Sequence, residues 1–251
     1  MEEFFLGSGL KFYAFGREQD PVLFLHGFGD SPLRYKSLLE KISVDHLVLA
    51  PEAYGMNYLC KQPKSLEEYA ELTQDFVSKF PEYDFHLVGH SFGGALAIKL
   101  ASQDDKYPDL VALNPSLPVN YGVGTHMLRW GHKFFKELMK IEGAEGTGKT
   151  PLTKRAAYFG NILKNIPASY QAINSMSKFN YDGIVANQPA LVLWAQNDEY
   201  YDLNDENRNL LDKVLPNAAF HLIPGKGHVW PIHFPTIVAK DLSNFYSKLS
   251  A

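Results

Sequence analysis

The sequence predicts an α/β protein in which a mostly parallel central sheet is flanked by helices and interrupted by a helical insert. Short apolar runs alternate with amphipathic segments along most of the chain, as expected of repeated strand–helix–strand units. The alternation stops between residues 117 and 187, where apolar residues recur at helical spacing. We therefore divide the chain into a core of residues 1–116 and 188–251 and an inserted helical segment of residues 117–187.

Eight apolar runs are predicted to form the strands of the sheet. The first two flank Gly7-Ser8-Gly9, which predicts a β-hairpin with a glycine-rich turn. The later runs alternate with helices, which favours parallel pairing through right-handed crossovers and places reacting groups in loops beyond the carboxyl ends of the strands. In chain order the runs cover residues 4–6, 10–15, 21–25, 46–50, 85–88, 110–113, 190–194 and 218–223.

Amphipathic segments between these runs predict the flanking helices. The first helix is expected to begin near Pro32, with Ser31 or Asp30 as its N-cap. The second follows Ser65, whose hydroxyl is suited to capping it. Further helices are predicted at residues 95–101, near 204–214 and at about 235–249.

Composition bounds the class of protein. With 251 residues the chain can bury a sizeable core, and its net charge of −4 gives no reason to expect a nucleic-acid partner. Cys60 is the only cysteine, which excludes an intramolecular disulfide. The first residues lack a signal-peptide pattern, and no apolar stretch approaches the ~20 residues that span a bilayer. A cytoplasmic location without a membrane span is therefore expected.

The most informative stretch joins the run at 85–88 to the helix at 95–101. Gly89-His90-Ser91-Phe92-Gly93 fits the Gly-x-Ser-x-Gly pattern, in which a serine in strained geometry sits at a sharp strand-to-helix turn. Its neighbours must lack side chains so that strand and helix can approach closely. A glycine-rich turn that contains a serine by chance is the alternative, but the flanking strand and helix patterns argue against it. Ser91 is the predicted nucleophile.

A base for Ser91 is needed because a serine hydroxyl is a poor nucleophile near neutral pH. It should be a histidine in a loop after a late strand. His228 closes Gly225-Lys226-Gly227-His228, and the glycines allow this loop to fold over the sheet. We therefore predict His228 as the general base.

An acid should hold the imidazole in the correct tautomer and stabilise its protonated form. Asp198 ends the loop after residues 190–194 and is placed for this role. Glu199 and Asp202 are nearby rivals, although both are more typical of solvated loop charges. The strand at 110–113 ends in Asn114-Pro115-Ser116, so the usual alternative position carries no acid.

The backbone amides of Phe28 and Phe92 are the predicted oxyanion donors, since each follows a strand at the same edge of the sheet. His26 is expected to pin its own loop rather than react, and His90 to be a neighbour of the chemistry. No metal is predicted, because His126, His132, His221 and His233 lack mutual ligand spacing or a paired carboxylate motif.

These motifs resemble those of the α/β-hydrolase family, specifically its small, capped, esterase-type members. The matching stretches are His26-Gly27-Phe28-Gly29, Gly89 to Gly94, residues 191–194 with Asp198, and Gly225 to His228, in the order Ser, Asp, His. The resemblance implies an α/β-hydrolase fold with an inserted helical cap over the site. It also implies a Ser91/Asp198/His228 triad and an acyl-enzyme intermediate.

The expected function is therefore hydrolysis of small carboxylic esters without a cofactor. Aromatic residues of the insert, with Phe28 and Phe92, are expected to line a pocket for short-to-medium apolar acyl chains, although packing among themselves is an equal alternative. Hydrolysis of carbon–carbon or amide bonds, a peroxide-using reaction and a ligand-binding receptor remain open. A dehalogenase is disfavoured because it would need a carboxylate nucleophile. The insert residues proposed to bind substrate are Trp130, Phe134 and Phe159.

One competing motif points to a nucleotide. Residues Gly143 to Thr150 satisfy the Gly-x-x-x-x-Gly-Lys-Thr pattern of a phosphate-binding loop. Such a loop must follow a buried strand, but residues 128–141 are amphipathic and helical in pattern, and Pro151 biases Thr150 away from helical geometry. We interpret the stretch as a link between cap helices.

Overall fold

An eight-stranded sheet forms the centre of the described part of the protein. The computed structural model describes residues 1–7, 10–17, 20–28, 30–52, 63, 65–118 and 179–249. The strands are β1 (Glu2–Phe5), β2 (Lys11–Phe15), β3 (Val22–Leu25), β4 (Val48–Pro51), β5 (His86–His90), β6 (Leu110–Leu113), β7 (Ala190–Ala195) and β8 (Ala218–Ile223). Their order across the sheet is β1-β2-β4-β3-β5-β6-β7-β8. The β1–β2 and β2–β4 pairs are antiparallel, and the other pairs are parallel.

The predicted α/β architecture, a mostly parallel central sheet flanked by helices, is confirmed. Each of the eight predicted runs contains or overlaps a strand, with ends that differ by a few residues. The hairpin is present, with Glu2 opposite Ala14 in its antiparallel register. In the described ranges, no helix is long and apolar enough to cross a membrane.

The helices alternate with the strands as the sequence predicts. They are α1 (Lys36–Ile42), α2 (Leu66–Val77), α3 (Phe92–Ala101), α4 (Asp205–Val214), α5 (Trp230–His233) and α6 (Pro235–Leu249). The predicted Ser65 cap of α2 is confirmed, since the Glu68 amide donates to the Ser65 hydroxyl at 3.2 Å.

The predicted cap of the first helix is wrong. The chain forms a 3₁₀ turn over Pro32–Tyr35 before α1, and the Ser31 side chain makes no capping hydrogen bond. The Asp30 carboxylate accepts a hydrogen bond from Arg34 at 2.8 Å instead. A side-chain partner thus replaces the helix amides that Asp30 was expected to cap.

Two cores cover the two faces of the sheet because successive strand residues point to opposite sides. In β3, Leu23 and Leu25 belong to the core that contains α2, α3 and α4 residues. Val22 and Phe24 belong to the other core, with α1 and α6 residues and Trp230. Both faces are therefore buried, and the carboxyl edge of the parallel strands is left for the loops that follow them.

The predicted insert lies almost entirely outside the described residues. This applies to Trp130, Phe134, Phe159 and the Gly143–Thr150 stretch. The last residues of the insert, 179–187, are described, and the Tyr181 hydroxyl donates to the Ser116 carbonyl at 2.8 Å. The chain that returns from the insert thus contacts the loop after β6.

Candidate active site

Three strand ends bring Ser91, Asp198 and His228 together at the carboxyl edge of the sheet. Ser91 directly follows β5, Asp198 lies in the loop after β7, and His228 lies in the loop after β8. All three are buried. Parallel strands place their carboxyl ends at one edge, so residues distant in sequence meet there.

The Ser91 turn has the strained backbone predicted for it. Ser91 has φ 54° and ψ −118°, a region that residues other than glycine rarely adopt. A side chain at Gly93 would collide with the Leu25 carbonyl, and one at Gly89 would collide with the Gly93 carbonyl. Both glycines are therefore required by the close approach of α3 to the sheet.

A continuous chain of hydrogen bonds joins the three side chains. His228 Nδ1 lies 2.7 Å from Asp198 Oδ2, and His228 Nε2 lies 2.8 Å from Ser91 Oγ. An ionised carboxylate only accepts, so Nδ1 carries the proton in the neutral imidazole and Nε2 is left as an acceptor. The Ser91 hydroxyl then donates to Nε2. In this arrangement His228 can take the Ser91 proton.

Asp198 is held as a carboxylate by its donors. Its Oδ1 accepts from the amides of Tyr200 at 2.7 Å and Tyr201 at 3.0 Å. Burial raises the pKa of Asp198, but the nearby His228 and these hydrogen bonds outweigh burial and leave the pKa below its ordinary value. Asp198 is therefore ionised near neutral pH and can stabilise a protonated imidazole.

One predicted oxyanion donor, the Phe92 amide, directly follows Ser91, and the other, the Phe28 amide, lies in a loop that reaches the Ser91 turn. Phe92 is the first residue of α3, so its amide has no acceptor within the helix. The loop that carries Phe28 also meets the Ser91 turn, since a Cβ built on Gly27 would lie 3.4 Å from the Ser91 Cβ. The two loops therefore meet as expected, and the use of these amides as an oxyanion hole stays a prediction.

The two other buried histidines hold loops in place. His26 Nδ1 donates to the Gly27 carbonyl at 2.8 Å, as its predicted structural role requires. His90 Nε2 donates to the His228 carbonyl at 3.0 Å, while its Nδ1 accepts from the Tyr35 hydroxyl at 2.6 Å. Burial, followed by the proximity of His228, lowers the pKa of His90 to about 3. The ring is thus neutral near pH 7 and braces the backbone of His228.

Because the folded protein keeps His90 neutral, the free energy of unfolding should depend on pH. An unfolded chain protonates this histidine near pH ~6.5, whereas the folded protein excludes the proton down to about pH 3. Stability should therefore be fully retained above pH ~6.5 and fall as the pH is lowered, by at most about 1.4 kcal/mol per pH unit from this group. Replacing His90 with glutamine, which keeps an amide donor for the His228 carbonyl, should flatten this fall.

The measurement is the unfolding free energy between pH ~4 and ~8, by denaturant titration at each pH. His221→Gln is the matched control, because His221 is an exposed residue of β8. An equal acid dependence in wild type and His90→Gln would contradict the role assigned to burial of His90.

The expectation that Glu199 is a solvated loop charge is wrong. Its Oε2 accepts from the His228 amide at 3.3 Å, and a Cβ on Gly227 would lie 2.8 Å from either carboxylate oxygen. Glu199 therefore packs under the His228 loop and holds its backbone. Asp202 is exposed, as expected.

Sequence reasoning missed two residues of the loop after β6. The Asn114 amide donates to Asp198 Oδ2 at 2.6 Å, and Ser116 Oγ lies 3.4 Å from Ser91 Oγ. Both are buried. Their position directly after a predicted strand could have pointed to them. In the sequence this strand end showed only that it carries no acid.

A small cavity lies beside Phe92, between α2, α3 and the ends of β3 and β4. Its volume is about 20 Å³, close to the size of one water molecule or methyl group. Most of its lining is apolar. The lining includes Leu25, Tyr69, Thr73, Phe76, Phe92 and Leu96.

Among the described residues, no group of three or more His, Cys, Asp or Glu side chains is arranged to hold a metal ion.

Comparisons with known proteins confirm the α/β-hydrolase fold over most of the chain. A family model described as "Alpha/beta hydrolase family" matches residues 22–241. By sequence, the chain is 31% identical over 116 residues to the AB hydrolase superfamily protein YfhM of Bacillus subtilis strain 168, a match that covers 43% of this chain and 40% of that protein. It is 22% identical over 253 residues to lipase 1 of Psychrobacter immobilis, covering 92% of this chain and 78% of the lipase.

Solved structures with similar folds include enzymes of more than one kind. A thermophilic esterase of Thermogutta terrifontis superposes with a TM-score of 0.76 at 18% identity, covering 100% of both chains. An epoxide hydrolase of Vigna radiata also superposes with a TM-score of 0.76, at 14% identity and 98% coverage of both chains. At such identities the superpositions establish the fold alone.

Proposed function

Because this chain belongs to the alpha/beta hydrolase family, we propose that it is a serine hydrolase that cleaves carboxylic esters through an acyl-enzyme on Ser91. The observation that carries the proposal is the unbroken hydrogen-bond chain from Ser91 through His228 to Asp198. A buried serine with a neutral imidazole on one side and an ionised carboxylate behind it is suited to acyl transfer.

In the acylation step, Ser91 Oγ attacks the ester carbonyl while its proton passes to His228 Nε2. Asp198 stabilises the protonated imidazole, and the amides of Phe92 and Phe28 are proposed to stabilise the oxyanion of the tetrahedral intermediate. When the intermediate collapses, the bond to the alcohol oxygen breaks and His228 gives its proton to the leaving alcohol. The acyl group then remains on Ser91.

In the deacylation step, a water molecule takes the position of the departed alcohol. His228 accepts its proton as the water attacks the acyl carbonyl, and the second tetrahedral intermediate releases the carboxylic acid and restores the Ser91 hydroxyl. Each step uses the same base and the same oxyanion donors, so no cofactor is required for the balance of protons or electrons.

Epoxide hydrolysis, the activity named for one structural neighbour, is less suited to a serine nucleophile. Opening an epoxide with Ser91 Oγ would leave an ether, which water does not hydrolyse, whereas an ester of an acyl group is readily hydrolysed. Carbon–carbon or amide substrates remain compatible with the same three residues, as does a peroxide-using reaction. A receptor that only binds a ligand does not require a proton path from Ser91 to Asp198.

A phosphonate probe tests the proposed nucleophile directly. Intact-mass analysis after treatment with a fluorophosphonate should show one adduct, and peptide mapping should place it on Ser91. Ser116→Ala is the matched control, since Ser116 is the buried serine 3.4 Å from Ser91 Oγ. This variant should still be labelled. Absence of an adduct on folded wild-type protein, or an adduct on Ser116, would overturn the assignment.

The substrate is proposed to carry a short-to-medium apolar acyl chain. The apolar lining beside Phe92 supports an apolar acyl group, and its space for about one methyl group places the limit early in the series, because burying a CH₂ group contributes about 0.8 kcal/mol only until space is exhausted. We expect kcat/KM for a series of p-nitrophenyl esters to rise by about fourfold per CH₂ over the first members and then to fall.

The series should run from acetate to octanoate, with Ser91→Ala protein giving the background rate for each ester. A flat response across the series, or a clear optimum with emulsified long-chain lipid, would contradict a small apolar acyl pocket while leaving the nucleophile assignment intact.

A further inference from the structure

A buried amide connects the two chain segments that carry Asp198 and His228. Asn114 follows β6 and has no exposed surface. Its φ of 43° lies in the left-handed region, which asparagine tolerates better than most residues. This backbone turn aims the side chain between Asp198, Ala195 and Trp230.

The orientation of the Asn114 amide is fixed by its partners. Its oxygen accepts from the Ala195 amide at 3.2 Å and from Trp230 Nε1 at 2.6 Å. Both partners are donors only, so the side-chain oxygen must face them and the NH₂ group must face Asp198. The donor–acceptor distance from Asn114 Nδ2 to Asp198 Oδ2 is 2.6 Å.

The Asn114 bond completes the hydrogen bonding of Asp198. Oδ1 accepts from the amides of Tyr200 and Tyr201, and Oδ2 accepts from His228 and Asn114. Four donors thus fix the plane of the carboxylate. Without Asn114, only the His228 bond would hold Oδ2, and the orientation of the carboxylate relative to the imidazole would be less restricted.

We propose that Asn114 is a positioning residue that acts through Asp198, holding Oδ2 in the plane in which it binds the His228 Nδ1 proton. The inference deepens the proposed function and rests on it, since it assigns a role at the same site. The Asn114 side chain is fully buried and donates to Asp198 Oδ2, so its effect reaches the reaction by way of the carboxylate. The oxygen of the same side chain accepts a hydrogen bond from Trp230, which lies two residues beyond His228. Asn114 therefore also contacts the segment next to the base.

The first test is a double-mutant cycle. Asn114→Gly removes the amide while suiting the positive φ at this position, so the fold should be kept. We expect kcat for an activated ester to fall by about 10-fold to 100-fold with KM changed by less than about threefold, because substrate does not touch Asn114. In an Asp198→Ala background, the same change should lower kcat by less than about threefold, since the group it positions is gone.

Gln188→Ala is the matched control. Gln188 is a part-buried amide near the other end of β7, and it donates to the Ala101 carbonyl at 2.8 Å. Its loss should affect thermal stability and leave kcat and KM unchanged. Equal losses of kcat from Asn114→Gly with and without Asp198, or a wild-type kcat in Asn114→Gly, would overturn the proposal.

Asn114→Asp covers the case in which the glycine variant fails to fold. The new carboxylate keeps the acceptor bonds to Ala195 and Trp230 but faces Asp198 with a second acceptor. At about pH 8, where the two carboxylates no longer share a proton, kcat should fall by at least about tenfold. A wild-type kcat at that pH would overturn the proposal.

A spectroscopic readout separates this inference from the proposed function. The His228 Nδ1 proton should give a low-field NMR signal in wild type and in Gln188→Ala, and this signal should be broadened by exchange in Asn114→Gly, whether or not esters are turned over. A folded wild-type protein that does not react with the fluorophosphonate and does not hydrolyse esters would refute the proposed function alone. A sharp, unshifted signal in Asn114→Gly would refute the positioning role alone.

Discussion

Ser91→Ala protein is expected to fold normally and to lose ester hydrolysis by about 10⁴-fold or more. The hydroxyl of Ser91 contacts His228 Nε2 at 2.8 Å, and removing it eliminates the covalent step while the backbone of the turn is kept. The tight backbone contacts of this turn are made at Gly89 and Gly93, so replacing Ser91 with alanine should leave them unchanged. The measurement is kcat/KM with an activated ester, together with the thermal unfolding of both proteins.

The control for this result is Ser102→Ala at the other end of α3. The Ser102 hydroxyl donates to the Lys99 carbonyl at 2.7 Å, remote from the strand ends that carry the site. This variant should keep wild-type activity. His228→Ala should be about as damaging as Ser91→Ala, because the serine then has no base. Substantial turnover by well-folded Ser91→Ala protein would overturn the nucleophile assignment.

Local patterns predicted the elements of the core because each signal lies within a few residues. The buried runs of β3 and β5 are bounded by polar or glycine residues, and Ser65 stands directly before the α2 pattern. The N-cap prediction for the first helix was wrong because a capping residue and an ion-pair partner look alike in a local pattern. Asp30 finds a partner in Arg34 four residues away, and a side-chain ion pair is not distinguishable from a cap in the sequence alone.

The site was predictable where one motif carries one role. Ser91 and its glycines form a contiguous signature, and His228 follows the last strand behind a glycine-rich loop. The pairs that hold these groups are long-range. Asn114 and Asp198 lie 84 residues apart in sequence, and His90 and His228 lie 138 apart. Nothing in the local pattern joins such residues, so the bracing of the acid and base emerged only from the structure.

Glu199 illustrates the same limit on the acidic side. In the sequence it is one of several carboxylates after β7, next to Asp198. In the fold Asp198 points to His228 Nδ1, while Glu199 points to the backbone amide of the same residue. Two adjacent acids thus have different tasks, one on the imidazole and one on the loop that carries it.

Asp198→Asn is therefore expected to cost about 10²-fold to 10⁴-fold in kcat/KM with little loss of fold. An asparagine amide facing His228 Nδ1 would favour the tautomer with its proton on Nε2, which cannot accept the Ser91 proton. The protonated imidazole would also lose its counter-charge. The oxyanion donors and the acyl pocket remain, so activity should stay above that of Ser91→Ala protein.

Glu199→Gln is the matched control for the neighbouring carboxylate. In wild type the His228 amide donates to Glu199 Oε2 at 3.3 Å, and a glutamine oxygen can still accept this bond. We therefore expect kcat/KM to fall by less than about tenfold. Both variants should be assayed with the same activated ester, and their thermal unfolding should be compared with that of wild type. If Glu199→Gln were the more harmful change, the acid would be Glu199, and the 2.7 Å contact between Asp198 and His228 would have only a structural role.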